Sequence, residues 1–185
     1  MNQELLALYT ADRQERIDQP RMGTPEYTAM RERDHQRRIR AAAILSTLAA
    51  PAAADLYHAA LLFQHGDLVE DVWRAYELAH AAAERGDERA RWLTAAAYDR
   101  WLMYQGKPQK YGTQYTSDGI QHRLWDVDPA TTDADRAVWN VPPLEEQLQK
   151  AEEATRIDPP QPINLDDAPW WLKAALIRWG IQPPR

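Results

Sequence analysis

LYHAALLFQHG (residues 56–66), WRAYELAHAAAERG (73–86) and RWLTAAAYDRWLMYQG (91–106) decide the fold. Each is a helical segment, rich in alanine or aromatics, that ends on a glycine. Gly66, Gly86 and Gly106 fall 20 residues apart. A glycine just past a helix end takes the left-handed conformation that other residues resist, so each is read as a stop. Asp67 and Asp87 follow two of these glycines, where they would begin the next helix. Short connections fold neighbouring helices antiparallel. The expected fold is therefore all-α, a compact array of antiparallel helices.

Working outward, residues 2–17 read as an amphipathic helix, with Leu5, Leu6, Leu8 and Tyr9 ahead of Asp12, Arg13 and Arg16. A turn follows at Gln19-Pro20-Arg21-Met22-Gly23. Thr24 suits an N-cap, Pro25 the first helical position and Glu26 the positive helix start. That helix runs to about Leu48. Its first part, RERDHQRRIR (31–40), reads as a solvated, internally paired face rather than a phosphate-binding patch, because the chain as a whole is acidic. Beyond Gly106 the period changes. The runs 111–116 and 121–127 flank Ser117-Asp118-Gly119, and Asp-Gly between such runs signals a β-hairpin. Thr131-Thr132-Asp133 caps a short helix to about Asn140. Pro142-Pro143 interrupts, and LEEQLQKAEEAT (144–155) forms another helix. The whole is similar in pattern to the helical hairpins of tetratricopeptide and Sel1-like repeats, without the full consensus of either.

The expected organisation is one helical domain with its hairpin over residues 1–155, then an added tail over 156–185. The tail has a proline-rich linker and a Trp-rich helix capped by Asp167, with Pro169 in its first turn and Gly180 at its end. Trp170, Trp171, Leu172, Ala175, Leu176 and Trp179 make that helix strongly apolar. It either docks on the body or forms an interface with a partner or a second copy.

Composition bounds the rest. The chain has 185 residues, enough for one domain, and 44% are hydrophobic, enough for a core. It has a single Phe but eight Trp and eight Tyr, so buried aromatics with polar tips need hydrogen-bond partners. Cysteine is absent, which removes disulfides and thiolate chemistry and fits a reducing, cytoplasmic setting. The N-terminus does not read as a signal peptide. No stretch approaches the roughly 18 apolar residues of a membrane span. The net charge of −6 argues against a nucleic-acid partner.

Three groups of residues are candidates for chemistry. His58, Leu61, Leu62 and His65 share one helical stripe facing the core. The two histidines there are either pocket-lining acid/base groups or satisfied core histidines, with Gln64 adjacent. Asp99 is the sole charge on the stripe of Trp92, Ala95, Ala96, Leu102 and Met103. A buried carboxylate needs a positive or donor-rich partner, and His65, Arg13 and Arg16 are the candidates. It either locks helices together or orients a histidine. Arg100 points elsewhere, toward the polar loop. In Lys107-Pro108-Gln109-Lys110-Tyr111-Gly112-Thr113-Gln114, the amides, phenol and hydroxyl suit recognition of a polar ligand, with Tyr111 a proton donor. The plainer alternative is a junction whose side chains satisfy buried backbone. No HExxH, Walker loop, GxSxG or dinucleotide fingerprint is present. His58 and His65 lack a usual ligand spacing, so neither metal nor cofactor is expected.

The elements Gln64-His65-Gly66-Asp67, Asp99-Arg100 and Gly106-Lys107-Pro108-Gln109-Lys110-Tyr111-Gly112-Thr113-Gln114 stand in that order, followed by Val141-Pro142-Pro143-Leu144. Over about residues 3–152 the chain resembles a widespread family of uncharacterised bacterial proteins, a domain-of-unknown-function family. Asn140-Val141 stands where that family has Gly-Leu, and the Trp-rich tail is an addition. The resemblance implies a helical fold and a shared polar site, and it brings no reaction.

The expected function is a small cofactor-independent enzyme acting by hydrolysis, elimination or cyclisation on a small polar metabolite or peptide. His65 would be the acid or base, oriented by Asp99, with Tyr111 as a further catalytic group. His58, Gln64, Arg100, Gln109, Thr113 and Gln114 would bind substrate. The alternative is a helical-repeat interaction or adaptor module, its polar signature structural and its Trp-rich tail the interface to a protein partner or a second copy.

Overall fold

The computed structural model describes residues 1–20, 23–163 and 168–181. Among these it has eight helices and one two-stranded antiparallel sheet, the all-α fold with a small hairpin that the sequence implies. No helix among the described residues is long and apolar enough to cross a membrane. The chain divides into two compact units, Met1–Ala97 and Tyr98–Arg185. The division falls inside a helix and not at the proline-rich stretch beyond residue 155.

The first unit comprises α1 (Gln3–Glu15), α2 (Pro25–Thr47), α3 (Ala53–Gln64), α4 (Val69–Glu84) and residues 88–97 of α5 (Glu88–Tyr104). Asn2 caps α1, accepting the N–H groups of Glu4 and Leu5 at 3.0 Å. Thr24 caps α2 through the N–H of Tyr27, with Pro25 in the first turn. Ala52 has no side-chain oxygen to cap α3. Asp55 compensates by accepting the Ala52 N–H at 3.0 Å, and it also accepts the Asn2 N–H at 2.5 Å, so the starts of α1 and α3 are tied together. The core packs Leu5, Ile44, Leu56, Leu62, Leu78 and Leu93 among alanines of α2 to α5. Each leucine taken fully out of water contributes roughly 1.5–3 kcal/mol, and the alanines let helix axes approach closely.

The three glycines do different work. Gly86 and Gly106 take positive φ, at 90° and 70°. Gly66 does not, contrary to its reading as a left-handed stop. It is required by close approach, since a Cβ there would overlap the side chain of Asp71. The two aspartates also diverge. Asp87 accepts the Arg89 N–H at 3.1 Å and so helps start α5. Asp67 caps nothing; α4 begins after Leu68, and Asp67 binds Arg31.

The second unit holds residues 98–104 of α5, β1 (Tyr115–Ser117), β2 (His122–Leu124), α6 (Asp133–Val138), α7 (Leu144–Ile157) and α8 (Trp170–Arg178). Tyr115 pairs with Leu124 and Ser117 with His122. The Asp118-Gly119 turn forms as expected. Gly119 has a φ of 87°, and Asp118 accepts the N–H groups of Ile120 and Gln121. The strands are shorter than the runs 111–116 and 121–127, because residues 109–114 are committed to other bonds. Thr132 caps α6 and exchanges hydrogen bonds with Asp135. On α7, the Thr155 hydroxyl accepts the His122 N–H at 2.8 Å.

The core of this unit is built from the Trp-rich tail. Leu172, Ala175 and Leu176 of α8 pack with Met103 and Trp125. Trp171 stacks on Tyr104 at 5.5 Å and meets Trp125 edge-on at 5.6 Å. Buried Trp125 donates to the Lys107 carbonyl at 2.7 Å and half-buried Trp179 to Asp126 at 2.8 Å. The expected Asp167 cap lies outside the described residues; α8 starts at Trp170 after Pro169, and Gly180 follows its end with a φ of 72°.

Substitution separates the glycine roles. Gly86→Ala meets open space and costs about 1–2 kcal/mol for its left-handed backbone. Gly66→Ala forces Asp71 aside, an overpacking cost of about 1–3 kcal/mol, and also disturbs the ion pair of Asp71 with Arg38. In urea titrations of the two variants, Gly66→Ala is expected to lose more stability and Gly86→Ala less.

Candidate functional site

The polar loop beyond Gly106 is built around Asp99. Its carboxylate is fully buried. Oδ1 accepts the N–H groups of Lys110 at 2.7 Å and Tyr111 at 2.9 Å. Oδ2 accepts the Thr113 N–H at 3.0 Å and the Thr113 hydroxyl at 2.8 Å. Burial raises the Asp99 carboxyl above the usual carboxylate range, and those donors offset the rise only in part. The partner of Asp99 is therefore the donor-rich loop itself, where His65, Arg13 or Arg16 was expected. Trp92, assigned to the same packing stripe, is instead 44% exposed.

Gln109 continues the same construction. It is completely buried. Its amide donates to the carbonyls of Gln114 at 3.0 Å and Trp125 at 2.9 Å, and its oxygen accepts the Gln114 N–H at 2.8 Å. Gln114 accepts from Arg100 Nε at 2.8 Å and donates to the Thr113 hydroxyl at 3.0 Å. Buried Arg136 donates from Nε to the Tyr111 carbonyl at 3.0 Å. The Tyr111 ring is buried and meets Tyr98 edge-on at 6.4 Å; burial lifts its phenol above the ordinary value. Asp99, Arg100, Gln109, Tyr111, Thr113 and Gln114 thus do come together, in the second unit. They come together as a clasp whose polar groups largely satisfy one another.

His58, Gln64 and His65 lie in the first unit. Gln64 is buried and donates to the Ala96 carbonyl at 3.2 Å. His58 is buried and stacks on Tyr9 at 4.5 Å. Among the described residues its Nδ1 has no hydrogen-bond partner. Its desolvation lowers the imidazole pKa; Arg89 adds to this, and Asp55 and Asp87 oppose it.

His65 ends α3. Its Nδ1 lies 3.1 Å from Oδ1 of Asp12, whose side chain is only 1% exposed against 21% for His65. Burial alone would raise the Asp12 carboxyl; His65, Arg16 and Arg37 outweigh it and hold the group below the usual range. An ionised Asp12 accepts hydrogen bonds only, so the proton of a neutral His65 sits on Nδ1 and Nε2 is the basic nitrogen. The peptide carbonyl of His65 is itself held, by Arg31 at 2.7 Å and Arg38 at 3.3 Å.

Asp12 belongs to an ionic network that contradicts the solvated-face reading of residues 31–40. Asp34, Arg37 and Arg38 are buried. Asp34 binds Arg16 at 2.7 Å, Arg31 at 2.9 Å and Arg37 at 3.2 Å. Arg37 reaches Glu15 at 2.7 Å, Arg38 reaches Asp71 at 3.4 Å, and Arg31 pairs with Asp67. The missed signal was periodicity. Met30, Asp34, Arg37, Arg38, Ala41 and Ile44 recur at helical spacing and form the buried face of α2. Asp12 likewise shares the α1 stripe of Leu5, Leu8 and Tyr9.

Among the described residues no group of three or more His, Cys, Asp or Glu side chains is arranged to hold a metal ion. No family model, curated protein or solved structure matches the chain.

The state of His58 makes stability depend on pH. Its folded pKa lies below the ordinary 6.5, so the unfolded chain takes up its proton first as pH falls. The contribution of neutral His58 is complete above about 6.5 and is lost as pH drops through the window below it. Urea midpoints of the wild type are expected to fall between pH 7 and pH 5. His58→Phe, which retains the ring against Tyr9, flattens that fall; an unchanged pH slope in the variant contradicts the assignment.

Proposed function

We propose that the chain is a small acid/base enzyme in which His65 transfers the proton and Asp12, in place of Asp99, orients it. The observation that carries this reading is the 3.1 Å approach of His65 Nδ1 to a buried, ionised Asp12, with the imidazole still partly open to solvent. A carboxylate that fixes the tautomer leaves Nε2 to accept a proton from a substrate and return it to a leaving group. The chemistry that needs no more than this is hydrolysis, elimination or cyclisation. Arg16 and Arg31 beside the pair are engaged by Asp34 and Asp67, so the site suits a small polar substrate, a metabolite or peptide. Membership of the uncharacterised bacterial family is proposed on the signatures of residues 64–67, 99–100 and 106–114, and a cytoplasmic setting accords with a chain free of cysteine.

In this reading Asp99, Gln109, Tyr111, Thr113 and Gln114 hold the loop and do not react. A second reading, an adaptor or interaction module, is favoured by one observation. Trp170 and Ile177 on α8 are 63% and 76% exposed, although Trp171, Leu172, Ala175 and Leu176 of that helix are used in the core.

A panel of esters, amides, lactams and short acidic peptides, followed by mass spectrometry, tests the enzyme reading. The wild type is expected to convert at least one class. His65→Gln and Asp12→Asn are each expected to lose at least about 100-fold in rate, the usual worth of a positioned acid/base group. Thr113→Val, which removes one donor from Asp99, keeps the wild-type rate per folded molecule. Conversion by His65→Gln at the wild-type rate sinks the proposal.

A further inference from the structure

The loop of residues 107–114 has a second face. Gln109, Tyr111, Thr113 and Gln114 turn inward, whereas Lys107, Pro108 and Lys110 line a cleft of about 340 Å³ together with Tyr98, Leu102, Asp128 and Pro129. That volume lies at the small end of ligand pockets. Its walls are hydrogen-bonded to one another. The Gln109 N–H donates to the Asp126 carbonyl and the Asp128 N–H to the Gln109 carbonyl, both at 2.8 Å. Asp99 holds the Lys110 N–H, and Asp128 Oδ1 accepts the Ala130 N–H at 3.0 Å. Both sides of the cleft are therefore fixed by backbone bonds.

The lining has two parts. Tyr98, Leu102, Pro108 and Pro129 offer an apolar surface suited to a flat organic group. Lys107 and Lys110 bring two ammonium groups to the cleft; Asp128 is the carboxylate of its lining, and Asp135 also feels the charge of Lys110. The chain has only four lysines, and two of them are here. Among the described residues neither ammonium forms a salt bridge. Lys107 Nζ donates to Gln105 Oε1 at 2.8 Å and lies 5.6 Å from the Trp101 ring, and Lys110 Nζ lies 5.4 Å from the Tyr111 ring. Contacts with a neutral amide or an aromatic face hold a lysine weakly, so Lys107 can swing to an anion with little loss, and Lys110 does so against the pull of Tyr111 and Asp135.

We propose that this cleft binds a small organic anion, a carboxylate or phosphate monoester carrying a flat apolar body. The anion meets Lys107 and Lys110, and the body packs on Tyr98, Leu102 and the two prolines. Asp128 sets the selectivity, repelling ligands whose negative charge extends to that side. This site is independent of His65 and Asp12.

Amide chemical shifts of the full chain, titrated with phenyl phosphate, inorganic phosphate and phenol, test the proposal. Phenyl phosphate is expected to give saturable shifts at Tyr98, Leu102, Lys107, Lys110 and Asp128, and to bind at least tenfold more tightly than either part alone. Lys107→Gln with Lys110→Gln removes that binding. Asp128→Asn keeps the Oδ1 acceptor for Ala130 and strengthens binding severalfold. Absence of saturable shifts at the cleft overturns the proposal. So does equal affinity for inorganic phosphate, undiminished binding by the double variant, or weaker binding by Asp128→Asn.

Discussion

A carboxylate removed from water has to find its donors inside the protein, and in each unit one such group dictates what surrounds it. Asp99 draws three backbone N–H groups and one hydroxyl from a four-residue span. To deliver them from so short a stretch, the loop curls around the carboxylate. Gly112, at a φ of 87°, permits that curl. Gln109 then spends both ends of its amide holding the return path. Removing the Asp99 charge would strand these donors, each unmet buried group costing about 1–3 kcal/mol.

Asp12 poses the same problem and receives a different answer. Its donors are an imidazole and guanidinium groups within a network of charged side chains from α1, α2 and the region around α3 and α4. Buried ion pairs of this kind add little net stability over a well-packed apolar core, yet losing one partner costs about 3–5 kcal/mol. A network that is weakly stabilising but strongly positioning suits a site that must hold an imidazole in one tautomer. It also explains a local exception to composition. The acidic chain places arginines in its interior here because buried Asp12 and Asp34 demand them.

Much of the fold was legible because helix signals are local. The glycines at 86 and 106, the Thr24-Pro25 start, the Thr132 cap and the Asp118-Gly119 turn each act within a few residues. What was not legible depends on contact. Gly66 shows the same letter as Gly86 but is needed for the approach of Asp71, which no local pattern reveals. The arginine run has the composition of a solvated face, while the spacing of Met30, Asp34, Arg37 and Ala41 is that of a buried one. For the site, the sequence singled out His65 and Asp99 and assigned them to each other. Both are constrained by carboxylate chemistry, but Asp12 lies 53 residues from His65 in the chain, and no local pattern joins the two. The loop residues 109–114 were recognised as unusual, and their use is mutual satisfaction.

The central claim is that Asp12 holds His65 with its proton on Nδ1. Ring-nitrogen chemical shifts of His65, followed through its titration and compared in the neutral-imidazole limit for the wild type and Asp12→Leu, measure it directly. The Nδ1–H tautomer is predicted to dominate in the wild type and to give way to Nε2–H when the carboxylate is removed. An Nε2–H tautomer in the wild type, or the same tautomer in both proteins, would contradict it.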